Sequence, residues 1–219
     1  MLICLSAGCG SGSAGGAVTL RLNPVTNQNY VYESITTAKG RKDYNARQIW
    51  DCIFPAKTSN GFTYSKWPVS IRADGRDVPL PKTLGRLLRT ASVDALGHEG
   101  ERPVGRGVSR PLQAFEMEPF IAFPQGPVQV GATWKDSVPG AGYTTRYKLE
   151  GIEGQVATVQ ATAHAEITGR SGLLMDGTSV YQVSLKDGMV ITAEQHVRTS
   201  GTSGTTKEER QTFKRSPKP

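Results

Sequence analysis

The stretch VATVQATAHAEI, residues 156–167, constrains the fold more than any other part of this sequence. Ala157, Val159, Ala161, Ala163, Ala165 and Ile167 fall on one face of an extended chain, and Thr158, Gln160, Thr162, His164 and Glu166 on the other. A period of two over this length is the mark of a half-buried strand; a helix would scatter the same residues around its axis. The inner face is made of small side chains. A curved sheet lined by alanines cannot fill a wide interior by itself, so either a helix such as Leu80 to Arg89 plugs the space or room remains for an apolar ligand.

The same alternation recurs along most of the chain. AVTLRL sets Val18, Leu20 and Leu22 on one face, and NYVYESITT sets Tyr30, Tyr32 and Ser34 opposite Val31, Glu33 and Ile35. WPVSIRADG carries Val69, Ile71 and Ala73 towards a turn at Asp74-Gly75, and TASVDALG carries Ala91, Val93 and Ala95 towards Gly97. YTTRYKLEGI alternates Tyr143, Thr145, Tyr147 and Leu149. SVYQVSLKDGMVITAEQHV reads as a hairpin around Asp187-Gly188, a pair suited to the positive φ angles of a type I′ turn. EERQTFKRS is a last strand, polar enough for a sheet edge. Helix signals are confined to LPKTLGRLLRT, with Pro81 at a start position and Gly85 weakening it, and to LQAFEMEPF before Pro119. Gly97 to Gly126 opens with a charged, Gly/Pro-punctuated loop. The fold class is therefore mainly β: an antiparallel curved sheet, a barrel or half-barrel, with one or two short helices. Residues 17–219 form one β-rich domain, with loosely similar halves at 17–100 and 120–216 as a further expectation.

Chemistry is hard to find. No nucleophile elbow, zinc-protease helix, phosphate loop or dinucleotide fingerprint occurs. His164 with Glu166 and Glu194 with His196 lie two apart on strand faces, where such pairs are common; His98 sits in a loop. No metal or other cofactor is expected. Cys52, in IWDCIF, reads as a small core residue in preference to a nucleophile. Tyr30, Tyr32, Tyr143, Tyr147 and Tyr181 could line a cavity, but packing of strand aromatics is the commoner use. The net charge of +7 would favour polyanions, yet it is scattered in short groups such as KGRK and FKRSPK, so no nucleic-acid partner is expected. No run of eighteen apolar residues is present.

At the N-terminus, Leu5-Ser6-Ala7-Gly8-Cys9 resembles the lipobox of bacterial lipoproteins, and GSGSAGG after Cys9 reads as a flexible tether. The resemblance implies that the Cys9 thiol takes a diacylglyceryl group and that cleavage makes Cys9 the new N-terminus. Residues 1–16 are then signal remnant and tether. A complete secretory signal carries a basic segment and an apolar run of about 7–15 residues. Only Met1 to Leu5 precede the small residues here and no Lys or Arg precedes Cys9, so either the true start lies upstream or the signal does not work. The competing reading is a Gly-rich N-terminus with an incidental cysteine. By the same resemblance, Gly10 implies retention at the outer membrane in a diderm cell.

FPQGPVQVGATW, Phe123 to Trp134, is similar to a Pro-Val-x-Val-Gly-x-x-Trp segment in a family of uncharacterised bacterial envelope proteins. The resemblance implies a β-rich half containing Tyr147, Leu149 and Ile152 and a late hairpin at Asp187-Gly188. It also implies that Val128 and Val130 alternate into the core, that Gly131 makes a turn, and that Trp134 is buried. It bears on fold and location, not on activity.

The function expected is that of an envelope lipoprotein whose non-catalytic β domain serves as a binding, carrier or assembly-accessory module. Its partners would be the membrane, through the lipid on Cys9, and an apolar ligand or envelope protein. The alternatives are a periplasmic or extracellular hydrolase with an active site not yet identified, and a structural surface protein. An apolar concavity favours binding, converging ionisable groups favour an enzyme, and a filled core favours structure.

Overall fold

The computed structural model of the protein describes residues 16–40, 43–80, 89–99, 115, 117–137, 142–167, 172–201, 204 and 206–216. They form a single curved, unclosed antiparallel sheet of eleven strands. Two meanders build it. The first contains β1 (Asn29–Lys39), β2 (Tyr44–Lys57) and β3 (Gly61–Ala73), with β4 (Arg76–Asp77) and β5 (Arg89–Asp94) both paired to β3. The second runs from β6 (Thr133–Asp136) through β7 (Tyr143–Glu153), β8 (Val156–Ile167), β9 (Leu173–Ser184) and β10 (Val190–Gly201) to β11 (Thr206–Arg215). β11 pairs with β10 on one side and β1 on the other, so it joins the meanders.

The half-barrel expectation holds for the sheet, and four of its details change. EERQTFKRS lies at the centre of the sheet as β11, not at an edge, because its polar residues face either solvent or a polar part of the concave side. The hairpin of β9 and β10 is real, but the strands end at Ser184 and resume at Val190. Only Gly188 of its Asp-Gly pair has positive φ, and the wider loop lets Met189 tuck into the core. Val69 points outwards and is exposed, because the β2–β3 register slips between Ile49 and Trp50 and leaves it unpaired. A one-residue slip exchanges the two faces of a strand, which puts Pro68 and Lys66 inside. Val130 is 49% exposed beside the Gly131 turn, so only Val128 of that pair reaches the core. No helix occurs among the described residues. Residues 81–88 of one helix candidate, and 112–114 and 116 of the other, lie outside them; Arg89 begins a strand and Met117–Phe120 is not helical.

The core occupies part of the concave face. Phe54 is its centre, packed edge-on against Tyr30 and Phe62 and tilted against Tyr64, with Tyr32 stacked on Phe213 at 4.5 Å. β8 contributes the fully buried Ala157 and Val159. Among the described residues, the space above these small residues is closed by extended chain. Met117, Phe120, Ile121, Ala122 and Phe123 press into it, joined by Leu20 and Leu22 from the N-terminal segment. Each large side chain so buried contributes about 1.5–3 kcal/mol.

An irregular buried segment must place its backbone polar groups, and four of this one's are bonded as follows. Phe123 N–H donates to the Leu96 carbonyl at 2.6 Å, and the Pro119 carbonyl accepts from Val190 N–H at 2.8 Å. The Ala122 carbonyl accepts from Trp134 Nε1 at 2.8 Å, and the Met117 carbonyl from Lys66 Nζ at 2.8 Å. Gly97 makes the fit feasible. Its φ is +78°, and a Cβ there would stand 2.0 Å from the Ile121 carbonyl oxygen.

Candidate binding cleft

The inner faces change chemistry along the strands. On β1 the inward residues run Tyr30, Tyr32, Ser34, Thr36; on β2, Phe54, Cys52, Trp50, Gln48; on β11, Phe213, Gln211, Glu209, Lys207. Each series passes from aromatic or apolar to polar in the same direction. The plug covers the aromatic end. At the other end it leaves a cleft of about 500 Å³ on the concave face.

The cleft has two sides. Phe115, Met117, Met175, Val197, Phe213 and the Trp50 ring form the apolar side. Phe115 sits in a notch at Gly177 of β9, where a Cβ would lie 2.7 Å from its ring, and packs with Ala165, Met175 and Val197. The small face of β8 therefore serves both regions: Ala157 and Ala161 belong to the plugged core, while Ala163 and Ala165 lie under Phe115.

The polar side centres on Glu209. Its carboxylate accepts hydrogen bonds from Tyr44 Oη at 3.0 Å, from Lys207 Nζ at 2.7 Å and from Gln211 Nε2. Lys207 Nζ also lies 5.0 Å from the centre of the Tyr44 ring. Burial pushes the Glu209 pKa up, but the bonds from Lys207 and Gln211 outweigh it and hold the carboxyl below its ordinary range. Burial likewise works against the Lys207 charge, and the Glu209 bond overrides it and raises that pKa. Tyr44 is raised by burial and by the Glu209 charge.

At the border between cleft and plug stands Lys66, whose side chain is only 5% exposed. Its Nζ is 3.3 Å from Glu118 and 4.7 Å from the centre of the Trp50 ring. A buried ammonium needs such partners, and here they fasten the plug to β3.

The candidate residues from the sequence lie elsewhere. Cys9 is outside the described residues. Cys52 is fully buried in the core, and burial pushes its thiol pKa far up, away from the reactive thiolate. His164 Nδ1 pairs with Asp176 at 2.7 Å on the outer face, and His196 stands 3.9 Å from Glu208. β9 separates the His164–Glu166 and Glu194–His196 pairs, and no metal-binding group of three is formed among the described residues. His98 is 3.1 Å from Asp94. Tyr30, Tyr32 and Tyr147 are core residues, Tyr181 and Tyr143 pack against the two apolar clusters, and none of the five lines the cleft. Tyr44, Glu209 and Lys207 are the residues that sequence reading missed. Their signal was present as the polar continuation of an apolar inner face.

No family model matches the chain, and no curated protein matches it. Among solved structures it is similar to one of lipovitellin, described as showing lipid-protein interactions in lipovitellin, with a TM-score of 0.55 and 11% identity. The match covers 86% of this chain and 25% of that one, so the likeness is to a quarter of a much larger protein and is one of fold.

Proposed function

We propose that the protein is a bacterial envelope lipoprotein, anchored through Cys9, whose β domain carries an apolar or amphipathic ligand in the cleft. The observation that supports the carrier reading is the division of the concave face. One end is filled by the chain's own plug, and the other leaves about 500 Å³ beside Phe115, Met175, Val197 and Phe213. That volume falls in the range of about 300–1,000 Å³ usual for ligand sites. The lipovitellin likeness agrees with such a use, because a similarly folded sheet occurs in a protein described with lipid. The side chains nominated for nucleophilic or metal chemistry are buried or dispersed, so among the described residues nothing favours the hydrolase reading. Address and anchor rest on LSAGC and the tether after it.

The test has two arms. Purified, delipidated protein is titrated with a neutral polarity-sensitive naphthylamine dye; saturable enhancement with a stoichiometry near one is expected, and no saturable binding would remove the carrier reading. Expressed behind a complete lipoprotein signal in a bacterial host, the protein is expected to fractionate with membranes and Cys9→Ser to release it; equal membrane binding of the variant would remove the anchor.

A further inference from the structure

We infer that the cleft selects an uncharged single-chain amphiphile over a fatty-acid anion or a cationic one; this deepens the carrier reading and rests on it. The charges on the cleft wall are already spent. Among the described residues its cations are Lys66 and Lys207. Lys66 is held by Glu118 and the Met117 carbonyl, and Lys207 by Glu209 at 2.7 Å. Glu209 in turn accepts from three donors. A carboxylate head placed here would have to share Lys207 with Glu209, and a cationic head would have to share Glu209 with Lys207. Either exchange of a one-to-one pair for a shared one sets like charges side by side, which is costly.

An uncharged head needs no such exchange. Thr36, Gln48, Thr199 and Gln211 stand on the same wall and offer hydroxyl and amide groups that both donate and accept. The chain would lie against Phe115, Met175, Val197 and Phe213, where the thioether adapts to an irregular apolar partner. A cleft of about 500 Å³ suits one chain. The net charge of +7 acts the other way, since it draws anions to the protein as a whole. Preference for a neutral ligand would therefore come from the cleft and not from the overall field.

The experiment is displacement of the naphthylamine dye from the full chain at neutral pH by monolauroylglycerol, laurate and dodecylammonium. Monolauroylglycerol is expected to compete at concentrations about tenfold lower than either charged amphiphile, a factor typical of one unpaired polar contact. Laurate or dodecylammonium competing equally or better overturns the inference and leaves the carrier reading standing. A dye that binds but is displaced by none of the three also overturns it, whereas a dye that never binds removes the carrier reading itself. Glu209→Gln supplies the converse. It keeps a side chain able to bond Tyr44 and frees Lys207, so laurate should gain about tenfold on monolauroylglycerol, and an unchanged ranking counts against the proposal. Should that variant fail to fold, Lys207→Met leaves Glu209 without its cation, though still bonded by Tyr44 and Gln211, and should shift the ranking towards dodecylammonium; no shift again counts against it.

Discussion

The two ends of the concave face are built on the same strands and obey the same alternation, yet one is a core and the other a cleft. Along β1, β2 and β11 the inward residues pass from aromatic to mixed and polar ones, with Ala38 on β1 and Ala46 and Tyr44 on β2 at the far end. At the aromatic end, extended chain from residues 18–22 and 117–123 finds apolar surface worth covering. At the polar end covering would bury Glu209, Gln211 and Gln48. The difference teaches that the extent of a core is set less by where strands lie than by how far each inner face stays apolar.

The sharpest way to break this comparison is to truncate one inward residue at each end. Phe54 is 0% exposed and touches four aromatic rings, including Phe120 of the plug. Phe54→Ala should cost about 3–5 kcal/mol, a large share of the about 5–15 kcal/mol available to a whole domain. Gln48→Ala, three positions further along the same strand face and in the cleft, should stay within about 0.5 kcal/mol. Urea midpoints measure both. Similar losses at the two sites would mean that the cleft is as structural as the core.

Trp134 tests whether the plug is fastened as well as packed. It is half-buried, stacks on Tyr147 at 5.4 Å and donates to the Ala122 carbonyl at 2.8 Å. Trp134→Ala should cost near the low end of the about 3–5 kcal/mol typical of a buried Trp, while Trp134→Phe, which keeps the stack and loses the donor, should cost about 1–2 kcal/mol. A midpoint unmoved by Trp134→Ala would show that the plug does not depend on β6.

Much of the comparison could be read in the sequence, and the unread part has physical reasons. The faces of β1, β7 and β8 followed from alternation alone, including the small inner face of β8 that demands a cover. The cover itself did not, because FEMEPFIAF has no period and its burial depends on partners distant in the chain: Lys66, Leu96, Trp134 and Val190. Val69 was placed on the wrong face because a bulge reverses a strand without changing its composition. β11 looked like an edge because Glu209, Gln211 and Lys207 are polar, and polarity alone does not distinguish an outer edge from the wall of a cleft. The cleft residues went unnamed for the same reason.

The smallest effect is a pair of opposite titrations, one at each end. Glu209 in the cleft has a pKa held below the ordinary range by its hydrogen bonds, so its ionised form favours the folded state. That contribution is present above the unfolded value, about 4.3, and is lost as the pH falls through the lower folded value. Asp136, on the inner face of β6 beside Trp134, is the reverse. Burial raises its pKa, and the nearby His98 offsets this only in part. Its ionised form therefore disfavours folding, and the penalty develops as the pH rises from the unfolded value, about 3.9, through the raised folded value. Asp136→Asn should accordingly raise the urea midpoint slightly at neutral pH, and the advantage should vanish below about pH 3.9. Glu209→Gln should lower the neutral-pH midpoint slightly, with the deficit shrinking in acid. The two difference curves, measured from acid to neutral pH, should have opposite signs. Curves of the same sign would mean that the carboxylate at the plugged end is stabilised by its surroundings as well, and the electrostatic contrast between the two ends would be lost.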